Sequence, residues 1–271
     1  MSEKKKQGRG RIHKIILVIL VCVMLASGLW VLGDYVRDWK AQREYEKLAQ
    51  LVKEETTAAA EETTDREEET EGTEESIEET EPPYVSPINF EELAEINPDV
   101  VGWIKIPGTN VDYPIVQAAD NDMYLHKSFE GEETAAGSIF LDFESQSDMR
   151  GYNSILYGHN MRNGSMFKDI VRYKEEEYFK EHQYFEIYTP TETIHLKAVS
   201  CYYIKNDPMV RKTRFKTDES FQAFVQAMLK PCEYAQIPEE PVKNLYTLVT
   251  CSYEVDDGRT VLFAVEADEK E

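Results

Sequence analysis

The stretch that decides the fold is Leu245-Tyr-Thr-Leu-Val-Thr-Cys-Ser-Tyr-Glu-Val-Asp-Asp-Gly-Arg-Thr-Val-Leu-Phe-Ala-Val265. Its two ends are short apolar runs that are rich in β-branched and aromatic residues, which is typical of buried strands. The polar middle ends in Asp-Asp-Gly, a turn composition. The sequence therefore predicts an antiparallel hairpin with strands at 246–250 and 260–265, in which Cys251 and Arg259 are neighbours across the turn.

The same pattern of short strands extends over residues 86–271, a length sufficient for one domain with its own hydrophobic core. The other predicted strands are 101–106, 111–116, 138–141, 154–157, 184–188 and 193–203. Helices are predicted at 90–96, within 166–179 and at 218–229, the last with Asp218 as its N-cap. Short strands at this spacing indicate a mainly β fold, a closed β-barrel with helical insertions.

Three residues of this domain are candidates for catalysis. Cys251 ends an apolar strand and faces a polar loop, where a thiol is accessible on a rigid support. Arg259 across the hairpin would favour the thiolate and could donate hydrogen bonds to an oxyanion. His159, in Tyr157-Gly-His-Asn-Met161, is the first choice for a proton carrier, and His126 is the second. Each residue alone is more typical of a structural position, so the hypothesis depends on their combination.

The N-terminus carries a hydrophobic segment. Residues 15–33 contain no charged side chain, and at about 1.5 Å per residue they span roughly 28 Å, close to the thickness of a bilayer core. Residues 1–14 are rich in Lys and Arg, which places them in the cytoplasm by the positive-inside rule. We therefore predict a signal-anchor at 15–33 in contact with membrane lipid, behind a basic cytoplasmic tail. A cleaved secretory signal, cut near Ala26-Ser-Gly28, is the alternative.

Two further segments separate this anchor from the domain. Residues 34–55 combine strong helix formers with mixed charge and predict a juxtamembrane helix. Residues 56–85 are rich in Glu and Thr and include most of an acidic run, 54–82, with a balance of −13. Such a composition buries too little apolar surface to fold and predicts a disordered, extended spacer. We expect this spacer to hold the catalytic domain away from the membrane.

Charge and cysteine usage exclude several other classes. The net charge is −22, of which −15 falls on residues 83–271, so a nucleic-acid partner is not expected. None of the four cysteines has zinc-ligand spacing with another Cys or His. Cys201 and Cys232 are expected to be unpaired buried thiols, with a disulfide between them as the alternative.

Several stretches of the domain, in their order and spacing, resemble the sortase family and its class B members in particular. These stretches are Asn97-Pro-Asp-Val-Val-Gly-Trp-Ile-Lys-Ile-Pro-Gly-Thr109, Asp112-Tyr-Pro-Ile-Val-Gln117, Asp120-Asn-Asp-Met-Tyr-Leu-His126, Gly137-Ser-Ile-Phe-Leu-Asp142, Tyr157-Gly-His-Asn-Met161, Ser165-Met-Phe167 and Thr247-Leu-Val-Thr-Cys251 with Arg259 downstream. The predicted helix at 218–229 also matches the helix that class B members insert between their sixth and seventh strands. The resemblance implies a sortase-like eight-stranded β-barrel.

The resemblance also implies roles for individual residues. His159, Cys251 and Arg259 would form the catalytic triad. Four further residues would lie near the substrate groove: Asn121, Leu125, Tyr157 and Thr250. One departure is visible, because many class B members have Ser where this chain has Val249. Val249 cannot make the hydroxyl contact that a Ser at this position could make.

The implied activity is that of a membrane-anchored, extracytoplasmic cysteine transpeptidase of Gram-positive bacteria. It would cleave the C-terminal sorting motif of surface proteins and join them, through a thioacyl-enzyme, to an amine of a peptidoglycan precursor or cross-bridge. No metal or organic cofactor is expected, since the thiol supplies the covalent chemistry. Two alternatives stay open: a cysteine hydrolase acting on cell-wall peptides, and a non-enzymatic surface protein with an inactive barrel.

Overall fold

The computed structural model describes residues 3–64, 84–205, 207–252 and 257–267, and within these ranges eight strands close into a barrel. The strands are β1 (Val100–Lys105), β2 (Asp112–Val116), β3 (Ile139–Leu141), β4 (Asn153–Tyr157), β5 (Tyr184–Tyr188), β6 (Thr193–Lys205), β7 (Leu245–Ser252) and β8 (Gly258–Glu266). Their order around the barrel is β1-β2-β3-β4-β7-β8-β6-β5, and β5 pairs with β1 to close it. The predicted eight-stranded barrel is confirmed.

Helices lie between and before the strands. They are α1 (Glu3–Thr64), α2 (Phe90–Ile96), α3 (Glu176–Glu181) and α4 (Asp218–Leu229), with 3₁₀ helices at Met123–Leu125, Asp169–Lys174 and Pro208–Arg211. The expectation that Asp218 caps α4 is wrong, because Thr217 has the extended backbone of an N-cap and its Oγ1 accepts a 3.2 Å bond from the Ser220 amide. Asp218 instead accepts a hydrogen bond from the Tyr152 hydroxyl at 2.5 Å.

The strand register brings three chain segments to one rim of the barrel. β4 runs parallel to β7, with Tyr157 opposite Val249 at the end of β4. β7 runs antiparallel to β8, with Cys251 directly opposite Arg259. Parallel neighbours end at the same edge of a sheet. His159, which follows β4, therefore lies at the same edge as Cys251.

Two apolar clusters hold the barrel wall in place. The interior contains fully buried side chains of every described strand, including Trp103, Ile115, Leu156, Leu248 and Leu262. On the outside, α4 packs Phe221, Phe224, Val225 and Leu229 against β4, β6, β7 and β8. Each fully buried side chain of this size contributes about 1.5–3 kcal/mol of transfer free energy. The strand that carries Cys251 is therefore packed on both faces.

The helix α1 is continuous from the apolar segment into the region predicted to be a spacer. Side chains from Ile16 to Val36 are largely exposed, and this part of the helix is long and apolar enough to be a candidate membrane span. The helix continues to Thr64 and so includes the start of the expected disordered spacer, where Ala and Glu residues favour helix. The remainder of that spacer, 65–83, lies outside the described residues.

The part of α1 beyond the apolar segment packs against the barrel. Ala41, Tyr45 and Leu48 are buried, and this spacing places them on one face of the helix. The Tyr45 ring contacts the Tyr113 ring edge-to-face, with 5.3 Å between the centroids. Because Tyr45 precedes the acidic segment in the chain, that segment does not separate the barrel from the anchor. The expected tethering role of the spacer does not fit this arrangement.

Candidate active site

A groove of about 240 Å³ opens at the rim where β4, β7 and β8 meet. It is lined by the three candidate catalytic residues, His159, Cys251 and Arg259. It is also lined by all the residues for which the sequence resemblance implies substrate contact, namely Asn121, Leu125, Tyr157 and Thr250. The fold therefore brings together side chains that come from distant parts of the chain.

Cys251 and Arg259 are held as a cross-strand pair. Directly opposite residues of an antiparallel pair have Cα atoms about 4.5–5.5 Å apart, so both side chains start from one point of the barrel rim. Arg259 Nη1 donates to the Gly258 carbonyl at 2.9 Å and lies 3.1 Å from the Asp257 carboxylate. These contacts leave other guanidinium N–H groups available, since Arg carries five donors. A permanent cation and a half-buried thiol thus line the same groove.

His159 is oriented by a backbone carbonyl. Its Nε2 lies 2.8 Å from the Leu125 carbonyl oxygen. A carbonyl only accepts hydrogen bonds, so Nε2 carries the proton and Nδ1 is the nitrogen that can exchange one. The next residue, Asn160, donates from Nδ2 to the Cys251 carbonyl at 2.9 Å and joins the loop after β4 to the nucleophile strand.

His126, the second-choice histidine, does not line the groove. It is exposed, and its ring stacks beside the His159 ring with 6.3 Å between centroids and 24° between planes. Of the two histidines, only His159 lines the groove with Cys251 and Arg259.

The cysteines differ sharply in their surroundings. Cys201 and Cys232 are both buried, and both are free thiols in the structure. Burial raises the pKa of the Cys201 thiol well above its usual value, so this thiol stays protonated and unreactive. Cys251 is half-buried and lines the groove. Among the described residues, no group of His, Cys, Asp or Glu side chains is arranged to hold a metal ion.

Asp142, a residue with no role predicted from the sequence, organises the other side of the groove. Its carboxylate is only 1% exposed, and Oδ2 accepts hydrogen bonds from the Tyr157 hydroxyl at 2.8 Å and from Asn121 Nδ2 at 2.9 Å. Oδ1 accepts from the Glu144 amide at 2.9 Å, and Arg211 Nη2 lies 3.7 Å from Oδ2. The one indication in the sequence was the position of Asp142 at the end of Gly137-Ser-Ile-Phe-Leu-Asp, a stretch that contributes to the family resemblance.

Tyr157 is a hydrogen-bond donor in this cluster. Burial, together with the negative charge of Asp142, raises the pKa of the Tyr157 hydroxyl far above neutrality. The hydroxyl therefore stays protonated at neutral pH and donates to Asp142. Its position in the groove is fixed by that bond.

Val249, which stands where many class B members have Ser, lies between the groove and the apolar cluster beneath α4. The residue is 6% exposed. A methyl group here packs against apolar neighbours and needs no hydrogen-bond partner.

The family model described as the Sortase domain matches residues 104–267 of the chain. The chain belongs to the sortase family. This sortase is 33% identical to Sortase B of Listeria monocytogenes over 174 residues, which cover 63% of the chain and 71% of the relative. Family membership and this relative support a cysteine transpeptidase of class B and do not favour the hydrolase alternative.

Solved structures share the fold of this sortase. The X-ray structure of Clostridium perfringens sortase B has 33% identity and a TM-score of 0.63, covering 66% of this chain and all of the other (100%). The Staphylococcus aureus sortase B–substrate complex has 27% identity and a TM-score of 0.70, covering 87% of this chain and 100% of the other. The similarity therefore extends beyond the family match over 104–267.

Proposed function

We propose that Cys251, His159 and Arg259 are the catalytic triad of this class B sortase. The observation that carries the proposal is the register of β7 and β8, which sets Cys251 opposite Arg259 while His159 follows the parallel neighbour β4. Together they supply a nucleophile, a proton carrier and a permanent cation in one groove.

In the first half-reaction, the Cys251 thiolate attacks a backbone carbonyl carbon within the sorting motif of a surface protein. The carbonyl electron pair moves onto oxygen, and Arg259 donates hydrogen bonds to the resulting oxyanion. As the tetrahedral intermediate collapses, the C–N bond breaks and the His159 imidazolium gives its Nδ1 proton to the leaving amine. The product is a thioester on Cys251 Sγ and a released C-terminal peptide.

In the second half-reaction, a primary amine from a peptidoglycan precursor or cross-bridge attacks the thioester carbon. Neutral His159 takes the proton from the amine, and the Cys251 thiolate leaves. The new amide joins the surface protein to the cell wall. His159 returns to the imidazolium form, so no external oxidant, metal or cofactor takes part in the cycle.

The remaining groove residues are proposed to bind the sorting motif. Leu125 presents an apolar side chain, and Asn121 and Tyr157 are fixed by Asp142. Thr250 adds a buried Oγ1 for which the described residues supply no hydrogen-bond partner. Buried polar groups are rarely left unpaired in native proteins, so this hydroxyl is suited to a peptide group of the substrate.

The N-terminal helix is proposed to anchor the enzyme in the cell membrane. Residues 15–33 would span the lipid, the basic residues 1–14 would stay in the cytoplasm, and the barrel, within 86–271, would lie outside. This topology is supported by the exposed apolar side chains between Ile16 and Val36. It places the groove on the side of the membrane where surface proteins and wall amines are present.

The test is a ligation assay on the full chain in detergent micelles. Candidate sorting peptides and primary amines are mixed with wild type, Cys251→Ala or Cys232→Ala, and the products are identified by mass. We expect amine-containing product from wild type and from Cys232→Ala, and none from Cys251→Ala. Ligated product from Cys251→Ala would contradict the proposal. Water-cleaved product alone, with no amine incorporated, would restore the hydrolase alternative.

A further inference from the structure

Glu44 and Tyr45 of α1 form hydrogen bonds with one connection of the barrel, residues 126–138. This connection joins the 3₁₀ helix Met123–Leu125 to β3. The Tyr45 hydroxyl donates to the Gly137 carbonyl at 2.9 Å and lies 3.1 Å from Ser138 Oγ. It also accepts a 3.3 Å bond from the Phe129 amide. The preceding residue, Glu44, accepts a 2.8 Å bond from the Glu130 amide.

The 126–138 connection lies directly against the backbone of Tyr124 and Leu125, whose Leu125 carbonyl orients His159. Gly137 has φ +58°, and a Cβ at this position would be 2.6 Å from the Tyr124 oxygen and 2.7 Å from the Leu125 oxygen. The Ser138 amide donates to the Tyr124 carbonyl at 3.0 Å. The Leu125 oxygen is the one that holds His159 Nε2. Contacts are therefore continuous from Tyr45, through Gly137 and Ser138, to the histidine.

We propose that Tyr45 is a positioning residue for catalysis. By fixing Gly137 and Ser138, its hydroxyl holds the Leu125 carbonyl where it orients the His159 ring. The anchor helix then belongs to the active site and does more than attach the enzyme to the membrane. This inference rests on the proposed role of His159 as the proton carrier.

The arrangement also relates the groove to the membrane. Tyr45 lies about 18 Å along the helix axis beyond residue 33, at about 1.5 Å per residue. An enzyme docked through Tyr45 keeps its barrel at that short distance from the lipid surface. The acidic run, 54–82, comes after Tyr45 in the chain, so it links the docked helix to the start of the barrel domain and does not link the anchor to the barrel.

The buried face of α1 could instead serve stability alone, and a matched pair of variants separates the two roles. Tyr45→Phe keeps the ring that packs on Tyr113 and removes only the hydroxyl. Tyr246→Phe removes a buried hydroxyl that also binds a backbone carbonyl, that of Met149 at 3.3 Å. Tyr246 lies near the start of β7, distant in the strand from Cys251.

The experiment measures kcat and KM for ligation by the full chain in detergent micelles. Active sites are counted by stoichiometric alkylation of Cys251, and the melting temperature is recorded in parallel. We expect Tyr45→Phe to lower kcat per active site by roughly tenfold with KM changed less than about twofold, because a displaced His159 slows proton transfer. Tyr246→Phe should keep the wild-type kcat, whatever its melting temperature.

A wild-type kcat in Tyr45→Phe would overturn the inference and leave the proposed triad intact. If Tyr45→Phe fails to fold, Glu44→Ala serves instead, since it removes one contact to the same connection. A reduced kcat in Glu44→Ala would support the inference, and an unchanged kcat would overturn it. Absence of ligation by wild type would be a failure of the proposed function itself, which is a distinguishable result.

Discussion

The two sides of the groove are held by different kinds of interaction. On one side, Cys251 and Arg259 face each other because two strands pair along their length. On the other side, Asn121, Tyr157 and Arg211 are brought together by the single carboxylate of Asp142. The first arrangement depends on many backbone hydrogen bonds, and the second depends on one side chain. On the proposed assignment, the chemistry depends on the first side, the catalytic side, which is the more robust structure. Substrate recognition depends on the second, the recognition side, which is more easily altered.

The largest effect should come from changing the catalytic side without disturbing its strands. Arg259→Lys keeps a positive charge but loses the forked donors, so the oxyanion is held less well. We expect kcat to fall about 100-fold to 1000-fold, the usual cost of an oxyanion donor, with the melting temperature unchanged. Steady-state ligation kinetics measure this, with Arg214→Lys as an exposed control. A kcat within a few-fold of wild type would show that Arg259 does not stabilise the oxyanion.

A smaller effect is expected on the recognition side. Asp142→Asn keeps the size of the side chain but replaces one acceptor oxygen with a donor nitrogen, which then faces another donor. Loss of charge-assisted bonds to Asn121 and Tyr157 should raise KM roughly tenfold and leave kcat nearly unchanged. Asp148→Asn, at an exposed position of the same β3–β4 connection, is the control. A fall in kcat with constant KM would place Asp142 in the catalytic half instead.

The smallest effect should follow from the outer member of the same cluster. Arg211 has a side chain that is 49% exposed and lies 3.7 Å from the Asp142 carboxylate, so solvent screens most of the attraction. Arg211→Gln should raise KM about two- to fivefold at low salt, consistent with the modest strength of exposed ion pairs. The difference should disappear at about 1 M salt. A tenfold rise that persists at high salt would mean that Arg211 binds the substrate directly.

The catalytic side could be predicted from the sequence because its determinants are local. One hairpin contains both Cys251 and Arg259, and its turn sets their register. The bounds of α4 and β5 follow from apolar periodicity and match the structure. His159 required only the inference that a strand ends just before Gly158, which made it the first choice ahead of His126.

The contacts on the recognition side could not be predicted in the same way, because the partners of Asp142 come from three distant positions, 121, 157 and 211. No local pattern records which distant donors a carboxylate will meet in the fold. The docking of α1 was missed for a related reason. Its buried face consists of Ala41, Tyr45 and Leu48 among charged residues, too weak an apolar stripe to indicate a partner. The expectation that the acidic segment separates the barrel from the anchor does not fit the docked helix. Composition alone does not show that residues before this segment contact the barrel.

The central claim, that Cys251 is the nucleophile, is tested most directly by the mass of the enzyme after incubation with a sorting peptide and no amine. We expect one acyl adduct per chain, mapped to the peptide that contains Cys251 and removed by hydroxylamine as a thioester is. An adduct on Cys201 or Cys232, or product formation with no adduct on Cys251, would contradict it.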